Sequence, residues 1–137
     1  MSTVRDYMNR ELVYLSAADR PELALGAILD FGLTAVPVLD EEDHRPVGVV
    51  SLRDLADPRR AEDRVSKPAR TIAMDTPIDT AARALAEAGV HHLVVVDGEG
   101  TAVGMLSAAD VLRALLSLPP RHPEAFTRKK PRRLEIP

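Results

Sequence analysis

Short apolar runs alternate with stretches of helical spacing along this chain, and the alternation occurs twice. Val13, Tyr14 and Leu15 form a β-branched and aromatic run that predicts a short strand. Asp19 reads as a helix N-cap, with Pro21 in the first turn and Leu25, Ile28 and Leu29 on one helical face. Gly32 closes that helix as a C-cap. Residues 35–39 form an apolar strand whose Pro37 points to an edge or irregular position. A polar turn at 40–45 leads to a strand at 46–50, a helix at 51–55 and a charged linker at 57–70. The plan then recurs. A strand is predicted at 71–73, a helix from 76 to Gly89, and strands at 93–96 and 102–106 around the tight turn 97–100. A helix at 107–118 presents Val111, Leu112, Leu115 and Leu116 on one face, and Pro119-Pro120 ends it. Each half reads β-α-β-β-α. A unit of that size is marginal alone, so the two halves are expected to pack together.

The recurrence is also legible residue by residue. Gly48-Val49-Val50-Ser51-Leu52-Arg53-Asp54 and Gly104-Met105-Leu106-Ser107-Ala108-Ala109-Asp110 share Gly, two apolar residues, Ser, two variable residues and Asp, 56 residues apart. Upstream, the segment Gly32 to Asp40 aligns with Gly89 to Asp97 at an offset of 57, so the first copy carries one extra turn residue. The helices at 22–29 and 79–86 match as well. Agreement over three segments marks an internal repeat.

Composition narrows the function classes. The 137 residues are 45% hydrophobic but only 3% aromatic, so Val, Leu and Ala carry the packing. With no cysteine, disulfide and thiol chemistry are excluded. The start lacks an apolar signal core, and no apolar run nears the ~20 residues of a membrane span, so a soluble, cytoplasmic chain is expected. The net charge of −3 hides an asymmetry: an acidic body precedes a basic tail from Arg121 onward. No P-loop and no Ser-His-Asp frame are present, and the acidic turn Glu41-Glu42-Asp43 reads as a solvated loop, so an enzyme is not expected.

The doubled Gly-apolar-apolar-Ser-x-x-Asp motif, with Gly89-Val90-His91-His92-Leu93-Val94-Val95-Val96-Asp97, resembles a tandem CBS-domain pair, or Bateman module, of the stand-alone bacterial or archaeal type. The resemblance covers residues 7–117 and implies an α/β (α+β) fold. Two β-α-β-β-α repeats would be related by a pseudo-twofold axis, with their sheets packed together and helices outside. The boundaries expected are 1–60 for the first repeat with its lead-in, 61–118 for the second and 119–137 for the tail. The resemblance further implies two clefts that take adenosine-containing ligands (AMP, ADP, ATP or S-adenosylmethionine), no obligatory cofactor, a homodimer, and a separate, unknown effector protein.

The residues agree with such a site. A helix N-terminus offers N–H groups and partial positive charge to a phosphate, and Ser51 and Ser107 add hydroxyls there. Asp54 and Asp110, one turn later, can each accept from two vicinal ribose hydroxyls. Gly48 and Gly104 leave room for a base, and Val49 and Ile72 are candidate walls for an adenine. In relatives that bind nucleotides, basic residues at the place of His91 and His92 reach phosphates; Arg53 is a further phosphate candidate in the first copy only. Each feature has a plainer reading. Ser-x-x-Asp is also a capping box, the two histidines an ordinary surface pair, and Arg53 a solvated helix residue. A metal site is not expected, since adjacent strand residues face opposite ways. A ligand-free dimerisation module stays open as an alternative. The basic tail reads first as a solubilising or partly disordered end, or one that docks on the acidic body of a dimer mate, and second as a contact for nucleic acid or an acidic partner.

Overall fold

The computed structural model describes residues 2–60, 63–121 and 132–134 and folds into two units, one built around each repeat. Within the unit of the second repeat, β4 (Thr71–Ala73), β5 (His92–Val96) and β6 (Ala102–Ser107) form a three-stranded sheet. β4 runs parallel to β5, and β6 runs antiparallel to it. α4 (Ile78–Ala88) buries Ile78, Ala81 and Leu85, a helical stripe with polar residues opposite. That stripe and Val111 of α5 (Ala108–Leu115) cover Leu93, Val95 and Leu106 to make the core.

The same unit also claims the beginning of the chain up to Leu12, away from the repeat that follows it directly. Apolar burial explains why. Val4 and Tyr7 of α1 (Val4–Tyr7), together with Met8, lie in the core of the second repeat, and Val4 and Met8 are fully buried. Asn9 and Met105 exchange backbone hydrogen bonds at 2.8 and 3.0 Å, and the Tyr7 hydroxyl donates to the Leu118 carbonyl at 2.8 Å.

The other unit holds Val13–Ala69 with a strand from the tail. β2 (Ala35–Leu39) and β3 (Pro46–Ser51) form an antiparallel pair. Ala24, Ala27 and Ile28 of α2 (Leu23–Phe31) pack on Val36, Val38 and Val50. Pro37 is buried in β2, where its missing N–H is tolerated: β3 lies on one side, and among the described residues only an isolated bridge from Leu15 lies on the other. β1 (Val13–Tyr14) pairs in parallel with β7 (Arg132–Arg133).

Three expectations need correcting. α2 is capped at Glu22 without a side-chain bond, so Asp19 is not its N-cap; its carboxylate accepts the Ser16 N–H at 2.8 Å and binds Arg133 instead. α5 stops at Leu115, short of residue 118: Ser117 takes a left-handed φ of 57°, and Leu118 precedes a proline, which disfavours helix. The described part of the tail is not free, because Arg133 pairs with Asp19 (2.6 Å) and Glu41 of its own chain. The basic run Arg128-Lys129-Lys130 lies outside the described residues.

Candidate functional site

Both copies of the motif sit where a strand turns directly into a helix. In the first, Ser51 ends β3 and α3 (Leu52–Ala56) begins at the next residue. The Ser51 side chain accepts the Asp54 N–H at 3.0 Å, and the Ser51 N–H donates to Asp54 Oδ2 at 2.9 Å. In the second, the Asp110 N–H donates to Ser107 Oγ at 3.2 Å and the Ser107 N–H to Asp110 Oδ2 at 2.9 Å. These are reciprocal capping boxes, so the plainer reading of Ser-x-x-Asp holds in both copies. The first N–H of each helix is spent as well: Leu52 donates to the Thr34 carbonyl and Ala108 to the His91 carbonyl. The helix starts therefore offer fewer open N–H groups than the sequence suggests.

The caps use one oxygen of each aspartate, and the second oxygen separates the two copies. Asp54 and Asp110 are both buried, at 6% and 3% exposure. The Ser66 hydroxyl lies against the Asp54 carboxylate, 3.3 Å from Oδ1 and 3.4 Å from Oδ2. Asp110 Oδ1 is buried with no hydrogen-bond partner among the described residues. Burying a carboxylate oxygen without a donor is costly.

Strand register shows which candidates share a face. His92 stands opposite Ser107, and Val94 opposite Met105. Side chains alternate along a strand, so His92, Met105 and Ser107 share the face away from the core of Leu93, Val95 and Leu106. His91 belongs to the turn before β5 and is exposed. Ile72 pairs with Val95 and packs against the core, so it stands on the opposite face from His92. In the first unit Val49 and Ser51 share a face, while Arg53 is exposed on α3. Met105 was not among the sequence candidates, although the repeat offset from Val49 points to it.

Burial holds the His92 imidazole below its usual pKa; the neighbouring His91 adds to that shift, and the Asp110 carboxylate opposes it. His92 and Asp110 thus interact at the start of α5.

The glycines serve the chain itself. A Cβ on Gly48 would lie 2.6 Å from Val65 Cγ1 and 2.9 Å from the Ser66 carbonyl oxygen. A Cβ on Gly104 would lie 2.7 Å from the Asn9 carbonyl oxygen and 2.9 Å from Met8 Sδ. The room expected for a base is occupied by the linker over the first glycine and by the lead-in over the second. Among the described residues, no cluster of His, Asp or Glu is arranged to hold a metal ion, and no helix is long and apolar enough to cross a membrane.

Comparison with known proteins places this architecture. The CBS domain family model matches residues 4–58 and again 61–117. MK0525 of Methanopyrus kandleri is 27% identical over 94 residues, covering 61% of this chain and 47% of its own. YtoI of Bacillus subtilis is 31% identical over 106 residues, covering 75% of this chain and 24% of its own. The chain thus spans half or less of the length of these curated relatives. Among solved structures, CBSX2 in complex with AMP matches with a TM-score of 0.73 at 28% identity, covering 85% of this chain and 98% of that one. CBSX2 from Arabidopsis thaliana matches at 0.68 and 26%, covering 84% and 94%. The CBS domain pair of MJ0100, in complex with 5′-methylthioadenosine and S-adenosyl-L-methionine, matches in fold at 0.78 and 19%, covering 85% and 98%. The mixed helix and strand content, the doubled motif and both family matches agree: this chain belongs to the CBS-domain family and carries two copies of the domain.

Proposed function

We propose that this chain is a non-catalytic sensing module that binds an adenosine-containing ligand at a Ser-x-x-Asp junction. The observation that carries the reading is Asp110 Oδ1, a buried carboxylate oxygen with no donor among the described residues, at the start of a helix. A ribose diol supplies two hydroxyl donors to such an atom. Ser107 and the half-buried His92 flank it on the same face, and Met105 offers an apolar wall. His91 lies at the mouth of the same junction, where it and His92 are suited to phosphate. Ser51, Asp54, Arg53 and Val49 form the corresponding set in the first repeat. Ile72 supports the sheet behind the site from the core side. The AMP complex of CBSX2, similar over most of this chain, favours AMP as the first ligand to try. ADP, ATP and S-adenosylmethionine belong to the same class.

The module works by linkage. A ligand that prefers one arrangement of the protein shifts its population, and a partner reads the shift. The partner is a separate effector protein in this reading. A homodimer is also proposed, on the exposure of Leu112, Leu115, Leu116 and Leu118 at the end of the chain's second repeat and of Leu25 and Leu29 on α2.

Thermal denaturation with each ligand at millimolar concentration tests the proposal. A ligand at 100 times its Kd stabilises by about 2.7 kcal/mol, several degrees in Tm. A rise with at least one of the four adenosine compounds, and none with adenine-free phosphate, is the expected result. Four unchanged melting curves would contradict the sensing function and leave the dimerisation module as the better reading.

A further inference from the structure

We infer that the two motifs are not equivalent, and that only Asp110 takes a ribose while Ser66 already occupies Asp54 as an internal hydroxyl. The inference rests on the sensing function proposed above. It follows from comparing positions that the repeat makes equivalent. In the first repeat, Ser66 pairs with Val49 through backbone hydrogen bonds of 2.8 and 3.0 Å. In the second, Asn9 makes the same pair with Met105. Val49 and Met105 are repeat-equivalent, so Ser66 and Asn9 are equivalent too.

Their side chains do different things. The Ser66 hydroxyl reaches both oxygens of the Asp54 carboxylate. The Asn9 side-chain oxygen accepts the Glu11 N–H at 3.0 Å. Asp110 Oδ1 is left as a buried acceptor without a donor among the described residues. The Ser66 position is not loose. Its backbone bonds fix it to β3, and its carbonyl oxygen closes on the place a Gly48 side chain would fill.

A ribose hydroxyl arriving at Asp54 would have to replace a hydroxyl that is tethered and already in place. One arriving at Asp110 displaces no hydroxyl already bonded to Oδ1 among the described residues and satisfies an orphaned oxygen. Helix length points the same way. α3 has five residues and α5 has eight, so the aligned dipole at the start of α5 is better developed. The second junction also has His92 beside its carboxylate, where the first has Ala35.

Calorimetric titration of the full chain with AMP reads the stoichiometry directly. Wild type is expected to bind one AMP per chain. 2′-Deoxy-AMP is expected to bind about tenfold more weakly, since one hydroxyl to a carboxylate is lost. Asp110→Asn, which preserves side-chain shape, is expected to lose at least as much. Ser66→Ala frees Asp54 and is expected to raise the count to two, and adding Asp54→Asn to that variant returns it to one. Two AMP per wild-type chain, a Ser66→Ala variant that stays at one, or equal affinity for the deoxy compound would overturn the inference while the sensing function stands. If neither wild type nor Ser66→Ala binds any of the four adenosine compounds, the sensing function fails and this inference fails with it.

Discussion

At the scale of single residues, spacing along the chain announces the caps but not what the caps leave over. Ser and Asp three apart at an apolar run's end are readable as a box from sequence. That one box shares its carboxylate with Ser66 is not, because Ser66 comes from a linker that carries no motif of its own. Ser107→Ala removes a cap acceptor and is expected to lower stability by about 1 kcal/mol in a denaturant titration. The glycines respond to volume. A valine at Gly104 meets the Asn9 carbonyl, and moving backbone costs about 1–3 kcal/mol, so Gly104→Val is expected to lower the urea midpoint. His92 gives a pH signature. Its imidazole resists protonation in the folded chain, above all because it is buried, whereas the unfolded chain protonates near the ordinary value of 6.5. The unfolded state then binds more protons as pH falls through and below that value, so stability is lost on acidification. The Tm of wild type, compared with that of His92→Asn, is expected to fall between about pH 7.5 and 5.5. A constant difference would remove His92 from this account.

At the scale of elements, periodicity located the strands and α-helices of the two repeats because apolar residues there recur with clean spacing, while the short 3-10 turn Pro58–Arg60 lay in the stretch read as linker. α4 shows this best, with Ile78, Ala81 and Leu85 buried in turn. Boundaries were less legible. A proline in the first turn made Asp19 look like a cap, yet tertiary charge draws its carboxylate to Arg133. That contact lowers the Asp19 pKa, chiefly through the guanidinium hydrogen bond. Its contribution is therefore present at neutral pH and is lost as pH falls through the folded-state pKa. Val4, Tyr7, Met8 and Leu12 are apolar positions in a polar lead-in, but no local pattern says which repeat they serve. Long-range burial decides it. Met8 is fully buried in the second repeat's core, so Met8→Ala is expected to cost about 2–5 kcal/mol, as does Leu106→Ala beside it. Equilibrium unfolding checks both. A Met8 variant as stable as wild type would detach the lead-in from that core.

At the scale of the whole molecule, the repeat is what made the fold legible: two motif copies with matching flanks identify the family before any coordinate is known. The same symmetry hid the functional difference, because it presents Asp54 and Asp110 as equals. The packing of the linker and lead-in sets the two carboxylates apart. The central claim is that an adenosine ligand meets Asp110. A crystal structure of the full chain grown with AMP tests it most directly. The account expects a ribose hydroxyl within about 3 Å of Asp110 Oδ1. AMP bound elsewhere, with Asp110 Oδ1 untouched, would contradict it.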